Sequence, residues 1–123
     1  MDQHEKLKRL FEEHSAAEVD QDLARTLATC TEDVVYEHPF YPADHPDREI
    51  RGRAALGAYY RRSWSARKVQ RVEIVRSWLS GDDCLVTEVF GILDGSGTMV
   101  QNVAIGYFRD GLLAKEIVYG APH

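Results

Sequence analysis

Apolar positions recur with a helical period early in the chain and with a strand period in its second half, and that change of period sets out the elements. Leu7, Leu10, Phe11 and His14 follow the i, i+3, i+4, i+7 spacing of one helix face, which predicts a helix over Gln3–Glu18. Asp20 or Asp22 can cap a second helix whose stripe is Leu23, Ala24, Leu27 and Ala28. Val34–His38 reads as a strand, β-prone by branching and aromaticity and ended by Pro39. Its alternation puts Val34, Tyr36 and His38 on one face and Val35 and Glu37 on the other. His14 and His38 therefore both stand where apolar residues are expected, which points to a pocket.

Pro39, Pro42 and Pro46, interleaved with Asp44 and Asp47, predict a loop that can be neither helix nor central strand. Gly52 opens a third helix over about Arg53–Trp64, with Leu56, Tyr59, Tyr60 and Trp64 on its apolar side. After Arg67 the period becomes strand-like, with strands expected near Val69–Leu79, Cys84–Leu93, Thr98–Arg109 and Leu112–Tyr119. Ser80–Asp83, Asp94–Gly97 and Asp110-Gly111 are the turns between them, and Asp-Gly steps supply the positive φ of tight hairpins. Helices followed by an antiparallel meander is the α+β pattern, in one domain spanning residues 1–123 with its three helices in the N-terminal half. The strand Thr98–Arg109 is apolar on both faces, so a sheet covered by helices on one side needs a second cover. Self-association would supply one. Met99, Val103, Ile105 and Tyr107 lie on one face of that strand, with Leu113, Ile117 and Tyr119 alternating likewise on its neighbour. They form the patch to be covered if the helices lie against the opposite face, which alternation alone does not decide.

Composition narrows the function classes. With 123 residues, 44% of them hydrophobic, one core is expected. A net charge of −5 argues against nucleic acid or an anionic membrane as the main partner. The basic run from Arg61-Arg62 to Arg67-Lys68 reads as a solvated helix end. Cys30 and Cys84 share no CxxC spacing and read as two reduced, packed thiols. The opening Met-Asp-Gln-His-Glu-Lys is too polar for a signal peptide and no apolar run is long enough to span a bilayer, so a cytoplasmic protein is expected.

Among candidate chemical groups, His38 is the first choice for a general acid or base, because imidazole titrates near neutral pH. Its alternative is a pocket-wall histidine that only orients a ligand, and His14 on its apolar face reads either as a ligand contact or as a satisfied core residue. Asn102 is polar in an otherwise apolar alternating set, so it should hydrogen-bond a ligand or a pocket histidine. Tyr59, Tyr60 and Trp64 read as core and pocket wall. Glu37, His38, Asp44, His45 and Asp47 have metal-ligand chemistry, but Glu37 and His38 face opposite ways and the prolines hold the loop extended, so no metal is expected. No phosphate-binding loop or nucleophile elbow occurs, and no cofactor is expected.

Four stretches, in this order and spacing, carry a resemblance: Thr31-Glu-Asp-Val-Val-Tyr-Glu-His-Pro39, Ile50-Arg-Gly-Arg-Ala-Ala-Leu-Gly-Ala-Tyr-Tyr60, Gln101-Asn102, and Phe108-Arg-Asp-Gly-Leu-Leu113 leading to Tyr119. Across nearly its whole length the chain resembles the nuclear transport factor 2 superfamily and, within it, the SnoaL-like group. That resemblance implies a cone-shaped α+β barrel, a strongly bent, mostly antiparallel sheet and helices enclosing one apolar pocket, usually as a homodimer. It implies that Tyr36, His38, Asn102, Ala104, Gly106, Glu116 and Val118 face the cavity with Phe11 and His14, while Val103, Ile105, Tyr107 and Ile117 face a partner subunit.

The resemblance also excludes specific machinery. Ketosteroid isomerases in this superfamily place an aspartate where His38 stands, a tyrosine at His14 and a protonated aspartate at Gly106. Limonene epoxide hydrolases place charged residues at Val89 and Gly91 and an aspartate at Val118. Neither set is present, although Tyr36 and His38 resemble the hydrolases' water-positioning Tyr-x-Asn. For SnoaL-type cyclases, which rely on a pocket acid or base, the corresponding candidates are His38 and Glu116. If Glu116 faces inward, burial raises its pKa or pairs it with a histidine; a one-residue slip of its strand would instead turn it outward.

The leading expectation is a cofactor-independent acid/base enzyme that cyclises, isomerises or dehydrates a small, apolar, oxygenated substrate. His38 and Glu116 would do the proton chemistry, with His14, Tyr36, Asn102, Phe11 and Tyr59 holding the substrate. The rival expectation is a non-catalytic binding or carrier module for a hydrophobic metabolite. A purely structural dimerisation domain would require a filled cavity.

Overall fold

The computed structural model describes residues 1–66, 69–93 and 99–120. Helix α1 spans Gln3–Val19, capped by Asp2, whose carboxylate accepts from the Glu5 N–H at 2.8 Å. Helix α2 spans Leu23–Ala28; of its two possible caps, Asp22 takes the position and Asp20 ends α1. Strands β1 (Cys30–Glu37) and β2 (Glu49–Arg51) precede helix α3 (Arg53–Ala66). Strands β3 (Val69–Ser80), β4 (Cys84–Leu93), β5 (Met99–Arg109) and β6 (Leu112–Tyr119) complete the chain. The predicted turn at Asp94–Gly97, the start of a strand at Thr98 and the basic pair Arg67-Lys68 lie outside the described residues.

One six-stranded sheet in the order β2-β1-β6-β5-β4-β3 carries the helices, confirming the α+β class. The sheet is open, with β2 and β3 at its edges, and all pairings are antiparallel except the parallel β1–β6 pair. Two features of this sheet depart from the sequence reading. The first strand begins at Cys30, four residues early in the chain, because its exposed Glu32 and Asp33 obscure the apolar alternation. Strand β2, only three residues long, was unreadable as a strand because that length carries no period.

Register breaks in β1, β3 and at Tyr107/Phe108 mark bulges, which bend strands and increase their twist. The break between β5 and β6 also corrects an expectation about facing. Leu113 was grouped with the outer residues Ile117 and Tyr119, but it is 1% exposed and sits in the core beside Phe108. The irregularity reverses the alternation at this end of β6, so Leu113 turns inward while Glu116 remains buried. At the β5–β6 turn, Asp110 and Gly111 both adopt positive φ, 55° and 76°, as a tight right-twisted hairpin requires. Gly52, at φ 86°, makes the reversal from β2 into α3.

The core runs from Leu7 and Phe11 of α1 through Val34 and Tyr36 of β1 and Leu56 and Tyr60 of α3 to Leu85, Ala104 and Leu113 of the sheet. On the opposite face, the register aligns Trp78, Val86, Ile105 and Ile117 in one row across β3, β4, β5 and β6. Trp78 is 51% exposed there, and Val103 and Tyr107 beside the row are each 37% exposed. Both cysteines are free and buried, and burial pushes the Cys30 thiol up to about 12. No described helix is long and apolar enough to cross a membrane.

Leu113→Ala is expected to cost about 2–5 kcal/mol, since the cavity it leaves lies between two bonded strands that cannot collapse into it. A urea midpoint unchanged from wild type would show that Leu113 is not a core residue.

Candidate functional site

Between α1, α3 and the inner face of the sheet lies a cavity of about 420 Å³, within the range of small-molecule sites. Phe11, Val72, Val89, Val100, Ala104 and Val118 supply apolar wall, and Glu18, Tyr36, His38, Tyr59, Tyr60, Asn102 and Glu116 supply polar groups. Of the residues expected at the site, Phe11, Tyr36, His38, Tyr59, Asn102 and Glu116 all line this cavity. His14 does not: it lies one layer behind the wall, 1% exposed, beneath the lining residues Tyr36, Tyr60, Glu18 and Glu116. Gly106 is absent from the lining too, because Phe108 and Leu113 occupy the space above its Cα.

The cavity floor is a buried polar cluster built from four elements, α1, β1, α3 and β6, and buttressed by the end of α2. The Thr29 hydroxyl donates to the Thr26 carbonyl at 2.6 Å, so at 2.6 Å from His14 it can only accept, and His14 Nδ1 carries a proton. Burial holds the His14 pKa below its ordinary value, which leaves Nε2 bare to accept from the Tyr36 hydroxyl at 2.5 Å. Tyr36 Oη is 2.8 Å from Tyr60 Oη, and Tyr60 Oη is 2.6 Å from Glu18 Oε2. Glu116, 5% exposed, lies 3.9 Å from His14 Nε2 and stands opposite Tyr36 in the β1–β6 pairing. Burial pushes both carboxyls up to about 7; the neighbouring Tyr60 hydroxyl pulls Glu18 partway back, and His14 does the same for Glu116.

His38 forms a second polar pole. It follows the last residue of β1, and its backbone N–H is tied to the Arg48 carbonyl at 2.8 Å. Nδ1 lies 2.7 Å from the Asp47 carbonyl, which can only accept, so the ring proton sits there and Nε2 is unprotonated. The ring stacks on Tyr41 at 4.6 Å and tilts against Tyr59 at 5.6 Å. Burial lowers its pKa, so the imidazole is neutral at pH 7, and no described residue bonds Nε2. His38 and Glu116 share the cavity without touching; the histidine beside Glu116 is His14.

Asn102 is a cavity residue whose Oδ1 is buried without a hydrogen-bond partner. That oxygen lies against Gly120, where an added Cβ would approach it to 1.9 Å. Around the Pro-rich loop, Asp47 pairs with Arg62 at 2.7 Å and Glu37 with Lys115 at 3.2 Å, so these two carboxylates are committed to cations. Among the described residues no His, Cys, Asp and Glu side chains are grouped to hold a metal ion.

One site residue, Glu18, was missed from the sequence, and another, Tyr60, was read as core and pocket wall without the role of its hydroxyl. Glu18 stands four residues after His14, and so on the same helix face, but it looks like a solvated helix-end charge. Tyr60 was read as part of an aromatic stripe, which conceals a hydroxyl with two polar partners.

Residues 11–116 match the SnoaL-like domain. The chain belongs to the SnoaL-like family. No curated protein matches the sequence. Among solved structures, it is similar to a putative isomerase from Bacillus subtilis, at 20% identity and a TM-score of 0.83 over 99% of this chain and 91% of that one. A SnoaL-like protein of unknown function from Burkholderia thailandensis has 20% identity and a TM-score of 0.73, with 95% of each chain covered. A computationally designed 17-OHP binder has 20% identity and a TM-score of 0.75, with 89% of each chain covered. At these identities the likeness is one of fold. This SnoaL-like chain therefore has the family's architecture and a cavity, with its own set of polar groups inside.

The raised Glu116 carboxyl makes a signed prediction. With a folded pKa of about 7 against an ordinary 4.5, its contribution to stability is complete below pH 4.5 and is lost as pH rises through 7. The lowered His14 and His38 act oppositely, stabilising above 6.5 and losing that contribution as pH falls. Glu116→Gln removes only the first effect, so its stability relative to wild type should improve by roughly 2–4 kcal/mol between pH 4.5 and 8. Parallel denaturation curves for the two proteins across that range would contradict a raised Glu116.

Proposed function

We propose that this SnoaL-like domain is a cofactor-independent acid/base enzyme acting on an apolar ketone or a related oxygenated substrate. The observation that carries this reading is one cavity holding two titratable groups pushed in opposite directions. Glu116 is raised to about 7 and serves as a proton donor; His38 is lowered and serves as a base through its unbonded Nε2. His38 takes a proton from the carbon next to the carbonyl. The C–H electron pair becomes the enol double bond, and the carbonyl oxygen takes the Glu116 proton. In an isomerisation the protonated His38 returns its proton to a different carbon while the enol hydroxyl gives its proton back to Glu116 and the carbonyl re-forms. In a dehydration the protonated His38 instead gives its proton to the departing hydroxyl, which leaves as water as the enol hydroxyl returns its proton to Glu116. Tyr36 orients the substrate oxygen, Phe11 and Tyr59 hold the apolar body, and fixed dipoles in a dry cavity lower the barrier further.

The two limbs have definite signs. Activity rises as His38 deprotonates and falls as Glu116 loses its proton through about pH 7, giving a bell-shaped profile. Incubation of bulky alicyclic ketones with the protein in D₂O, followed by NMR, detects exchange of α-hydrogens. Glu116→Gln and His38→Ala are each expected to slow exchange at least ~100-fold, with the former also losing the alkaline limb. The designed 17-OHP binder of similar fold supports a second reading, a carrier of hydrophobic metabolites. Saturable ketone binding by wild type with no deuterium incorporation would favour that carrier and overturn the enzyme.

The outer apolar row is assigned to a second copy of the chain. Trp78, Val86, Ile105 and Ile117 form a self-complementary strip whose pairing about a two-fold axis leaves no exposed remainder. Ile105→Glu should convert a dimer to monomer or aggregate while leaving ketone binding intact. A monomeric wild type in sedimentation at micromolar concentration would exclude this interface.

A further inference from the structure

Asn102 stands well along the cavity wall from Glu116. Glu116 faces Gly106 across the β5–β6 pair, and Asn102 lies on the same face of β5 as Gly106, roughly 13 Å farther along the strand. The wall between and around them is apolar: Ala104 and Val118 separate the two, and Val89 lies opposite Asn102 on β4. A polar group in such surroundings is costly unless paired, yet Asn102 makes no hydrogen bond with any described residue. Its Oδ1 is enclosed and unpartnered; Nδ2 also lacks a partner, and it is not enclosed.

Gly120 fixes which way the amide points. A Cβ at Gly120 would lie 1.9 Å from Oδ1 and 2.8 Å from Cγ, so Oδ1 occupies the side of the glycine that any other residue would fill. The hydrogen that Gly120 carries there points at the oxygen, a weak but attractive contact. Turning the amide over would bury two N–H donors against that C–H with nothing to accept them. Oδ1 therefore stays against Gly120, and Nδ2 presents its N–H groups to the cavity. A lone donor in an apolar cavity fixes the orientation of a ligand that brings an acceptor to it.

We infer that Asn102 is a specificity-determining residue whose Nδ2 binds a second oxygen of the substrate, remote from the reacting carbonyl; this rests on the proposal that the carbonyl sits at Glu116. The substrate class narrows to an apolar alicyclic ketone with an acceptor oxygen, as an ether, hydroxyl or second carbonyl, toward its other end. Asn102 takes no part in the proton chemistry. It sets which ketones are held and where along the cavity the reacting carbon comes to rest.

The probes are two cyclohexylcyclohexanones carrying a methoxy or an ethyl group on the far ring, so that shape is kept and only an acceptor oxygen differs. In calorimetric titrations the preference for methoxy over ethyl should fall ~3–10-fold from wild type to Asn102→Leu, the share of one neutral hydrogen bond. Gly120→Ala, whose Cβ displaces Oδ1, should lose the same preference, and the double variant should lose no more. In wild type, the Asn102 side-chain amide protons should resonate further downfield in the methoxy complex than in the ethyl complex. Either an unchanged preference in Asn102→Leu or coincident resonances in the two wild-type complexes would overturn the second-oxygen subsite; exchange of α-hydrogens on the same ketones, lost in Glu116→Gln, would show the acid role still standing. If neither ketone binds wild type, the ketone reading falls and the subsite falls with it.

Discussion

The Tyr36 hydroxyl is the constraint on which the rest of the site depends. It is enclosed, so it must be paired, and its hydrogen-bond partners come from two helices, His14 from α1 and Tyr60 from α3, while Glu116 of β6 stands opposite it in the strand pairing. A hydroxyl of β1 that bonds both helices fixes how the three elements approach one another. The apolar core alone would not do so, since hydrophobic contact has no direction. His14 cannot turn to compensate, because the Thr26–Thr29 corner at the end of α2 holds its other nitrogen. The floor of the cavity is thus a rigid polar lattice, and its position sets the depth to which a ligand can enter.

Such a lattice is not a requirement of folding. Apolar side chains of similar volume would fill the space without desolvating two carboxyls. Burial raises Glu18 and Glu116 to about 7, so near neutral pH each is poised between its charged and neutral forms. Poised groups are weak structural anchors and effective proton donors. Under the proposed function, the energetic cost of the cluster is the cost of a reactive site, carried by the sheet and helices packed around it.

Much of the fold was legible because long elements carry a period. Helix α1, helix α3 and strands β3 to β6 each run long enough for a face to show in the order of apolar residues. What failed was short or interrupted: β2 has three residues, and the irregularity in β6 turned Leu113 inward against the simple alternation. At the site, Tyr36, His38 and Asn102 were legible as strand residues on one face, while the inward direction of Glu116 came from the family resemblance. The network itself was not legible. Which histidine meets which carboxylate depends on the parallel β1–β6 pairing, which sets Tyr36 opposite Glu116 and leaves His38 beyond the last paired residue, Glu37. No local pattern encodes a pairing between residues eighty positions apart.

That pairing also explains why the cavity has two poles. Along β1, Tyr36 and His38 share a face two residues apart, but only Tyr36 lies within the sheet; His38 is past its end, held by Arg48 and Asp47 of the loop. One group is anchored by the sheet and the helices, the other by a loop that is not extended, as its prolines suggested, but folded into successive turns closed by Tyr41 N–H to His38, His45 N–H to Pro42 and Arg48 N–H to His45. In the proposed reaction a substrate bridging them would meet a fixed donor at the floor and a base whose position follows the loop. Changes in the loop from Pro39 to Arg48 would move the base relative to the donor without disturbing the core. Changes in Thr26 or Thr29 would do the reverse, loosening the donor through His14 while leaving the base in place.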